Sequence, residues 1–167
     1  MRIASLATSA VLAAGVLAVT AGQGQAAPVT RACSTADVKL TVQNVPHPLG
    51  HQLLAATNTG RTACNAYLHP YLGFDDDQSV TRVVEESKPQ AVVTLAPGES
   101  AYAGIRLYAP DGSGHDGRTV RTLRVFLDNG HGPADGRAKV TLPKGTYIDD
   151  TAAVTYWQSD ADTALDW

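Results

Sequence analysis

Apolar and polar residues alternate in short runs along most of this 167-residue chain. In residues 38–42 the apolar positions are Val38, Leu40 and Val42, and residues 123–127 again carry Leu, Val and Leu at every second position. A period of two is typical of strands that bury one face. We therefore expect both of these faces to be buried, with Val125 in the core.

Further runs are separated by clusters of proline, glycine and aspartate, which end strands. The predicted strands cover residues 38–42, 51–58, 62–68, 80–86, 91–95, 101–108, 119–127, 137–142 and 153–157, with a short piece at 71–74 after Pro70. Turn signals spaced by about 8–12 residues favour an all-β sandwich or barrel of about eight strands. Beyond the first 26 residues, no window keeps the 3.6-residue period of a helix over three turns.

The N-terminus has the pattern of a secretory signal peptide. Arg2 is the only charged residue before Arg31, and residues 3–20 are rich in Ala, Leu and Val. Gly24 and Ala26 then place small residues at positions −3 and −1 of a cleavage site, so we predict that residues 1–26 are removed. The alternative is a membrane anchor, since the apolar stretch approaches the length of a membrane span. Its many Ala, Gly, Ser and Thr residues favour the signal peptide, and hence a secreted chain with no membrane attachment.

Composition and charge indicate a packed domain and exclude some classes of function. Apolar residues make up 44% of the chain and charged residues 17%, which supports a packed core and excludes general disorder. Thirteen basic and sixteen acidic residues give a net charge of −3. A dedicated nucleic-acid binder normally carries a basic surplus, so we expect no nucleic acid among the partners. The last ten residues, 158–167, contain three aspartates and no basic residue, and we interpret them as an acidic C-terminal tail that packs or stays loose.

Two cysteines in an exported chain predict one disulfide, between Cys33 and Cys64. In the chain-entropy model a bridge over such a separation contributes roughly 3–4 kcal/mol to the free energy of unfolding. The alternative is a pair of buried free thiols.

The polar residues offer weak candidates for chemistry. His131 lies between Asp128 and Asp135 in sequence, a pattern that suits a general base with an orienting carboxylate. A hydrolase also needs a nucleophile, and no Gly-x-Ser-x-Gly elbow accompanies these residues. His47 and His51 have the spacing of two zinc ligands on a proline-rich turn, but two histidines do not complete a site. We predict no catalytic residue and no cofactor.

Acidic and basic turns offer further candidates for a binding site. The loop at residues 111–117 resembles a calcium loop, but its twelfth position is Thr122, which lacks the bidentate carboxylate of an EF-hand. Three successive aspartates at residues 75–77 do not converge on their own, because adjacent strand residues point to opposite faces. We therefore predict no metal site. On a strand, Arg118 and Arg124 would share a face and Arg121 would point away, which makes a small basic patch for an anionic cell-wall polymer one alternative to ordinary solubility.

Several short motifs occur in a fixed order: Cys33, Asn-Thr-Gly at residues 58–60, Cys64 with Pro70 six positions later, and Leu-Ala-Pro-Gly at residues 95–98. Over residues 33–157 this pattern resembles a family of secreted actinobacterial proteins of unknown function. Around the second cysteine that family reads Cys-x-Leu-x-Gly-Tyr-Pro, whereas this chain has Ala66, Leu68 and His69 at three of those positions. The resemblance implies an Ig-like antiparallel β-sandwich in an exported protein, and it implies no activity.

These observations favour a secreted, non-catalytic binding or cell-envelope-associated module, whose partner is a cell-wall polymer or an extracellular protein. Tyrosines at a sandwich edge suit such a role, since aromatic rings stack on sugars or anchor protein partners. Two alternatives remain open. One is a secreted hydrolase that uses His131 and nearby carboxylates, and the other is a small secreted protease inhibitor with a protruding rigid loop.

Overall fold

Eleven strands and one short helix make up the part of the chain that the computed structural model describes, residues 29–167. The predicted signal peptide at residues 1–26 lies outside the described residues. The elements are β1 (Val38–Asn44), β2 (His51–Asn58), β3 (Cys64–Phe74), β4 (Arg82–Val83), β5 (Val93–Leu95), β6 (Ser100–Arg106), β7 (Arg118–Thr119), β8 (Thr122–Asp128), β9 (Ala138–Thr141), β10 (Tyr147–Ile148), β11 (Ala153–Val154) and α1 (Ala161–Leu165).

The strands form two main sheets, as the sandwich prediction requires. A five-stranded sheet has the order β1-β2-β6-β11-β4, a four-stranded sheet has the order β5-β3-β8-β9, and β10 pairs with β7 alone. All pairs are antiparallel except β11 with β4. The all-β sandwich is therefore confirmed, although four of the eleven strands have only two residues.

The core lies between the two sheets and consists of residues from alternate positions. Leu54, Ile105 and Val125 are each 0% exposed and belong to one apolar cluster. Leu123 and Leu127 share the buried face of β8 with Val125, as the sequence pattern predicts. On β1 only Val38 is buried, while Leu40 and Val42 are half-buried at the edge of their sheet.

Strand β3 runs through Pro70, where we predicted a break. The register against β8 slips between Tyr67 and Tyr71, so the strand carries a bulge there. Proline has no N–H to donate and is tolerated at bulges. Leu68 turns the chain with a φ of 46°, a left-handed conformation that is uncommon for a leucine.

The predicted strands at 91–95, 137–142 and 153–157 are two or three residues shorter in the structure, and two other runs change more. The run at 119–127 divides, because residues 118–119 pair with β10 before the chain crosses over at Val120 into β8. The run at 80–86 keeps only Arg82–Val83 as a strand and ends in a 3-10 turn at Glu85–Ser87. Both differences reflect pairing partners that are distant in sequence.

The predicted disulfide is present between Cys33 and Cys64, and the Cα atoms are 4.8 Å apart. It joins the segment before β1 to the first residue of β3. The backbone N–H of Cys33 also donates to the carbonyl of Asn65, at 2.9 Å. The N-terminal segment is thereby attached to the four-stranded sheet.

The C-terminal ten residues pack on the fold. Asp160 caps α1, since its side chain accepts hydrogen bonds from the backbone N–H groups of Asp162 and Thr163. The buried residue of the helix is Ala164, while Trp167 remains 43% exposed. A Cβ on Gly104 would lie 2.1 Å from the Ala164 carbonyl oxygen, so the helix rests directly on the backbone of β6.

Candidate functional site

A groove crosses the outer face of the four-stranded sheet. Its floor comes from two cross-strand pairs of β3 and β8, Tyr71 with Phe126 and Gly73 with Arg124. Paired residues of neighbouring strands point to the same face of a sheet, so all four lie opposite the core. We call this feature the sheet-face groove, with these four residues and Val80 as its main lining.

The segment after β3 forms one wall of the groove. It includes residues 77–80, and Pro133 lies on the opposite side. Val80 is 56% exposed, which is unusual for an apolar residue beside two aromatic rings. The enclosed volume is about 440 Å³. That volume falls within the range of small-molecule sites, roughly 300–1,000 Å³.

Arg124 supplies the charge of the groove. Its guanidinium lies over Gly73, since a Cβ at that position would be 3.3 Å from Nη2. Nη2 donates a hydrogen bond to the carbonyl oxygen of Asp77. Nε is buried and has no hydrogen-bond partner among the described residues. The side chain is thus held in place by one neutral acceptor.

A second positive charge faces Arg124. Lys139 of β9 is its direct cross-strand partner and is exposed. Between residues 29 and 167 there are two ion pairs, Arg31 with Asp37 and Arg118 with Asp77, and neither includes Arg124 or Lys139. Like charges directly opposite each other destabilise a sheet. Arg124 is thus the basic residue of the groove lining, Lys139 lies next to it across the sheet, and the carboxylate of Asp77 in the same lining is paired with Arg118.

Tyr71 closes the floor of the groove towards the end of β8. Its hydroxyl donates to Asp128 Oδ2 at 2.8 Å, and the other carboxylate oxygen accepts the N–H of Gly130 at 2.6 Å. Burial and the hydrogen bond to Asp128 raise the pKa of Tyr71 to about 12. A general base has to be deprotonated near the working pH, so this phenol positions Asp128 and does not act as a base.

Asp75 fixes the start of the groove wall. Its Oδ1 accepts the N–H groups of Arg121 and Thr122 and the hydroxyl of Thr122. Burial acts to raise the pKa of Asp75, but these hydrogen bonds outweigh it, and the pKa lies below its usual value. With a φ of 47°, Asp75 also turns the chain out of β3.

The acid–base pair that the hydrolase alternative needs at His131 is not assembled. Asp128 is 1% exposed and engaged with Tyr71, while His131 and Asp135 are exposed. In the described part of the chain, the His131 hydrogen bond is made by its backbone N–H to Asn129 Oδ1. The hydrolase alternative therefore has no oriented imidazole at this position.

The other histidines lie in separate environments. His51 contacts the carbonyls of Leu49 and Trp167. The ring of His69 is tilted against Tyr71 and meets Tyr156 edge-to-face. His115 uses its backbone N–H to bond Asp150. Within the described residues, no three His, Cys, Asp or Glu side chains are grouped closely enough to hold a metal ion.

The acidic residues of the predicted turns are engaged in hydrogen bonds or ion pairs within the protein. Asp111 accepts both hydrogen bonds from Ser113 within its own loop, and Asp77 pairs with Arg118 at 2.5 Å. Arg118 donates to the Asp77 carboxylate and Arg124 donates to the Asp77 carbonyl oxygen. The two arginines lie on different strands, β7 and β8, so the shared face expected on a single strand does not form. Arg121 is exposed elsewhere. Sequence reasoning missed Lys139, because its neighbour across the sheet is known only from the pairing of β8 with β9.

None of the helices in residues 29–167 is long and apolar enough to cross a membrane. A family model described as a domain of unknown function, DUF4232, matches residues 33–158. The search of curated proteins gave no match, and the search of solved structures gave none either.

Proposed function

Because this chain belongs to the DUF4232 family of domains of unknown function, we propose its role from the site: a secreted, non-catalytic binding module of the cell envelope. The sheet-face groove binds a ligand that carries a carboxylate on an apolar body. The observation that carries the proposal is the side-by-side placement of Arg124 and Lys139 with no carboxylate paired to either among the described residues.

The chemistry of the groove fits such a ligand. Arginine has a planar set of donors that matches a carboxylate, and Nε of Arg124 has no partner within the described residues. The rings of Tyr71 and Phe126 and the exposed Val80 offer apolar area beside this charge. An anion bound beside Arg124 is attracted by that charge and by the exposed Lys139 across the sheet, which favours the bound state.

Among envelope components, a cell-wall polymer with peptide side chains combines free carboxylates with small apolar side chains. The disulfide between Cys33 and Cys64 supports an oxidising compartment, as expected for a secreted protein. Cell wall is therefore the partner that we propose for the groove.

Co-sedimentation with purified insoluble cell wall tests this function. The oxidised chain from residue 27 onward is incubated with native wall and with wall whose carboxylates have been converted to amides. We expect binding to native wall, with an affinity at least about tenfold lower for the amidated wall, because charge-assisted hydrogen bonds are lost. Rising salt should weaken the binding of the protein to the wall, because the charges of Arg124 and Lys139 are partly exposed and are screened.

A matched pair of variants locates the binding. Arg124→Gln with Lys139→Gln removes the positive charge of the groove and that of its cross-strand neighbour. Lys39→Gln with Arg61→Gln removes two exposed charges elsewhere. Only the first double variant should lose binding. Equal sedimentation of both double variants, or no sedimentation of the unmodified chain, would refute the proposal.

A further inference from the structure

A second cleft opens at one end of the sandwich. It is formed where the β1–β2 turn, the end of β6 and the loop before β10 meet, and it encloses about 440 Å³. None of its lining residues lines the sheet-face groove. We call it the loop-end cleft and define it by Asn44, Gln52, Tyr108, Lys144 and Tyr147.

Gln52 leaves an acceptor without a donor in this cleft. The residue is 0% exposed, and its Nε2 donates to Asn44 Oδ1 and to Thr146 Oγ1, each at 2.9 Å. Oε1 is buried and has no hydrogen-bond partner in the described part of the chain. A buried acceptor of this kind costs stability until a donor reaches it.

The orientation of the Gln52 amide is fixed by its neighbour. The Thr146 hydroxyl has one proton, and it donates this proton to the carbonyl of Pro143 at 2.8 Å. Thr146 Oγ1 can therefore only accept from Gln52, which places the amide nitrogen of Gln52 towards Thr146. Reversing the amide would set two acceptors against each other, so the orphan group is the oxygen.

Two tyrosines form an aromatic wall of the cleft, and each of them closely contacts a glycine. The ring centroids of Tyr108 and Tyr147 are 5.9 Å apart with an edge-to-face inclination of 69°. A Cβ on Gly50 would lie 3.1 Å from the Tyr108 ring, and a Cβ on Gly117 would lie 1.6 Å from the Tyr147 hydroxyl. Tyr147 nevertheless remains 46% exposed, so its ring is available to a ligand.

From this combination we propose that the loop-end cleft binds a neutral saccharide. The orphan oxygen of Gln52 needs a hydroxyl or N–H donor, which a carboxylate lacks at neutral pH. Lys144 is the charged residue of the lining, so a cationic donor is disfavoured. A sugar ring has both hydroxyl donors and an apolar face that stacks on tyrosine. The assignment does not rest on the sheet-face groove.

Nuclear magnetic resonance titration of the oxidised chain tests the assignment. The probes are the methyl glycosides of N-acetylglucosamine, glucose and mannose, with sodium acetate and a blocked neutral tripeptide as comparison arms. We expect saturable shifts at Gly50, Gln52, Gly145 and Tyr147 with at least one glycoside, at a dissociation constant of roughly millimolar or tighter. Acetate and the tripeptide should not produce them.

Three variants separate binding from folding. Tyr147→Ala removes the exposed ring and should weaken glycoside binding by at least about tenfold. A Cβ in Gly117→Ala would lie 1.6 Å from the Tyr147 hydroxyl and 2.3 Å from its Cζ, so the half-exposed ring has to turn away as a unit. This variant should weaken binding while the fold is kept. Gln52→Leu removes the orphan acceptor and should cost about tenfold as well.

Tyr102→Ala is the matched control, because Tyr102 is a half-buried tyrosine of β6 outside the cleft. It should bind the glycoside as the unmodified chain does. Absence of saturable shifts with all three glycosides would overturn the proposal. So would shifts with acetate or the tripeptide in their place, or unchanged affinity in Tyr147→Ala. Arg124→Gln with Lys139→Gln should leave glycoside binding intact, which distinguishes this site from the groove.

Discussion

On the outer face of each sheet a glycine makes a close contact, but the group that contacts it differs between the two sheets. On the five-stranded sheet, Gly104 of β6 supports the backbone of α1, and a Cβ there would lie 2.1 Å from the Ala164 carbonyl oxygen. On the four-stranded sheet, Gly73 of β3 supports the guanidinium of Arg124, with a corresponding distance of 3.3 Å to Nη2. One face is closed by a helix, and the other holds a polar side chain in an open groove.

This difference explains where stability and binding are located. Leu53 lies on the outer side of β2 and is only 5% exposed, in the region where α1 contacts β2 and β6. Val80, beside the groove, is 56% exposed. A covered face adds buried apolar area and stabilises the fold, whereas the open face keeps apolar area and unpaired charge for a ligand.

The largest loss of stability should come from placing a charge on the core face of β8. Val125 and Arg124 are neighbours on β8 that face the core and the groove, respectively. Val125→Asp buries an unpaired carboxylate, so we expect a loss of more than about 4 kcal/mol in the free energy of unfolding, or failure to fold. Arg124→Gln should change it by less than about 1 kcal/mol. Urea unfolding measures both, and a Val125→Asp variant that melts like the unmodified chain would place that residue on the surface.

Removal of the disulfide should come next in size and affect the open sheet first. Cys33 and Cys64 are 31 residues apart, and the bridge ends on β3. Cys33→Ala with Cys64→Ala should lower the free energy of unfolding by roughly 3–4 kcal/mol through the larger entropy of the unfolded chain. In a hydrogen-exchange measurement, amides that exchange only by global unfolding should accelerate equally in both sheets. Those that exchange by local opening should accelerate more in β3 and β5 than in β2 and β6, and no such difference would contradict a local attachment.

The two glycines give a direct comparison. Gly104→Ala places a methyl group against a backbone oxygen of α1, and we expect a loss of about 2 kcal/mol with undocking of the helix. Gly73→Ala meets the end of a flexible side chain, which can shift by a few tenths of an ångström, so the loss should stay below about 1 kcal/mol. Thermal unfolding, with Trp fluorescence to follow the C-terminus, distinguishes them. Equal losses would show that the faces do not differ as described.

The smallest effect should have the opposite sign. Lys139→Thr removes the like charge opposite Arg124, so we expect a gain of about 0.5 kcal/mol in the free energy of unfolding. The same variant should bind cell wall less tightly, because half of the positive pair is lost. Lys39→Thr on β1 serves as the control and should change neither property by a comparable amount. If Lys139→Thr instead lowers the free energy of unfolding, the two like charges do not destabilise the sheet, and this argument for a binding role of the pair fails.

Several features followed from the sequence alone. The buried face of β8, the sandwich and the pairing of Cys33 with Cys64 were all predicted, because a period of two and a pair of cysteines are local or nearly unique signals. None of these predictions requires knowledge of which strands are neighbours.

The tertiary structure decided the rest. Pro70 lies inside β3 because a bulge against β8 removes the need for its N–H, and Lys139 meets Arg124 because β9 pairs with β8 in one register. The orphan oxygen of Gln52 depends on Thr146, which lies 94 residues away in sequence. Alternation along a strand determines which face a side chain occupies. Its neighbours on that face depend on strand pairing and loop positions, which no local pattern encodes.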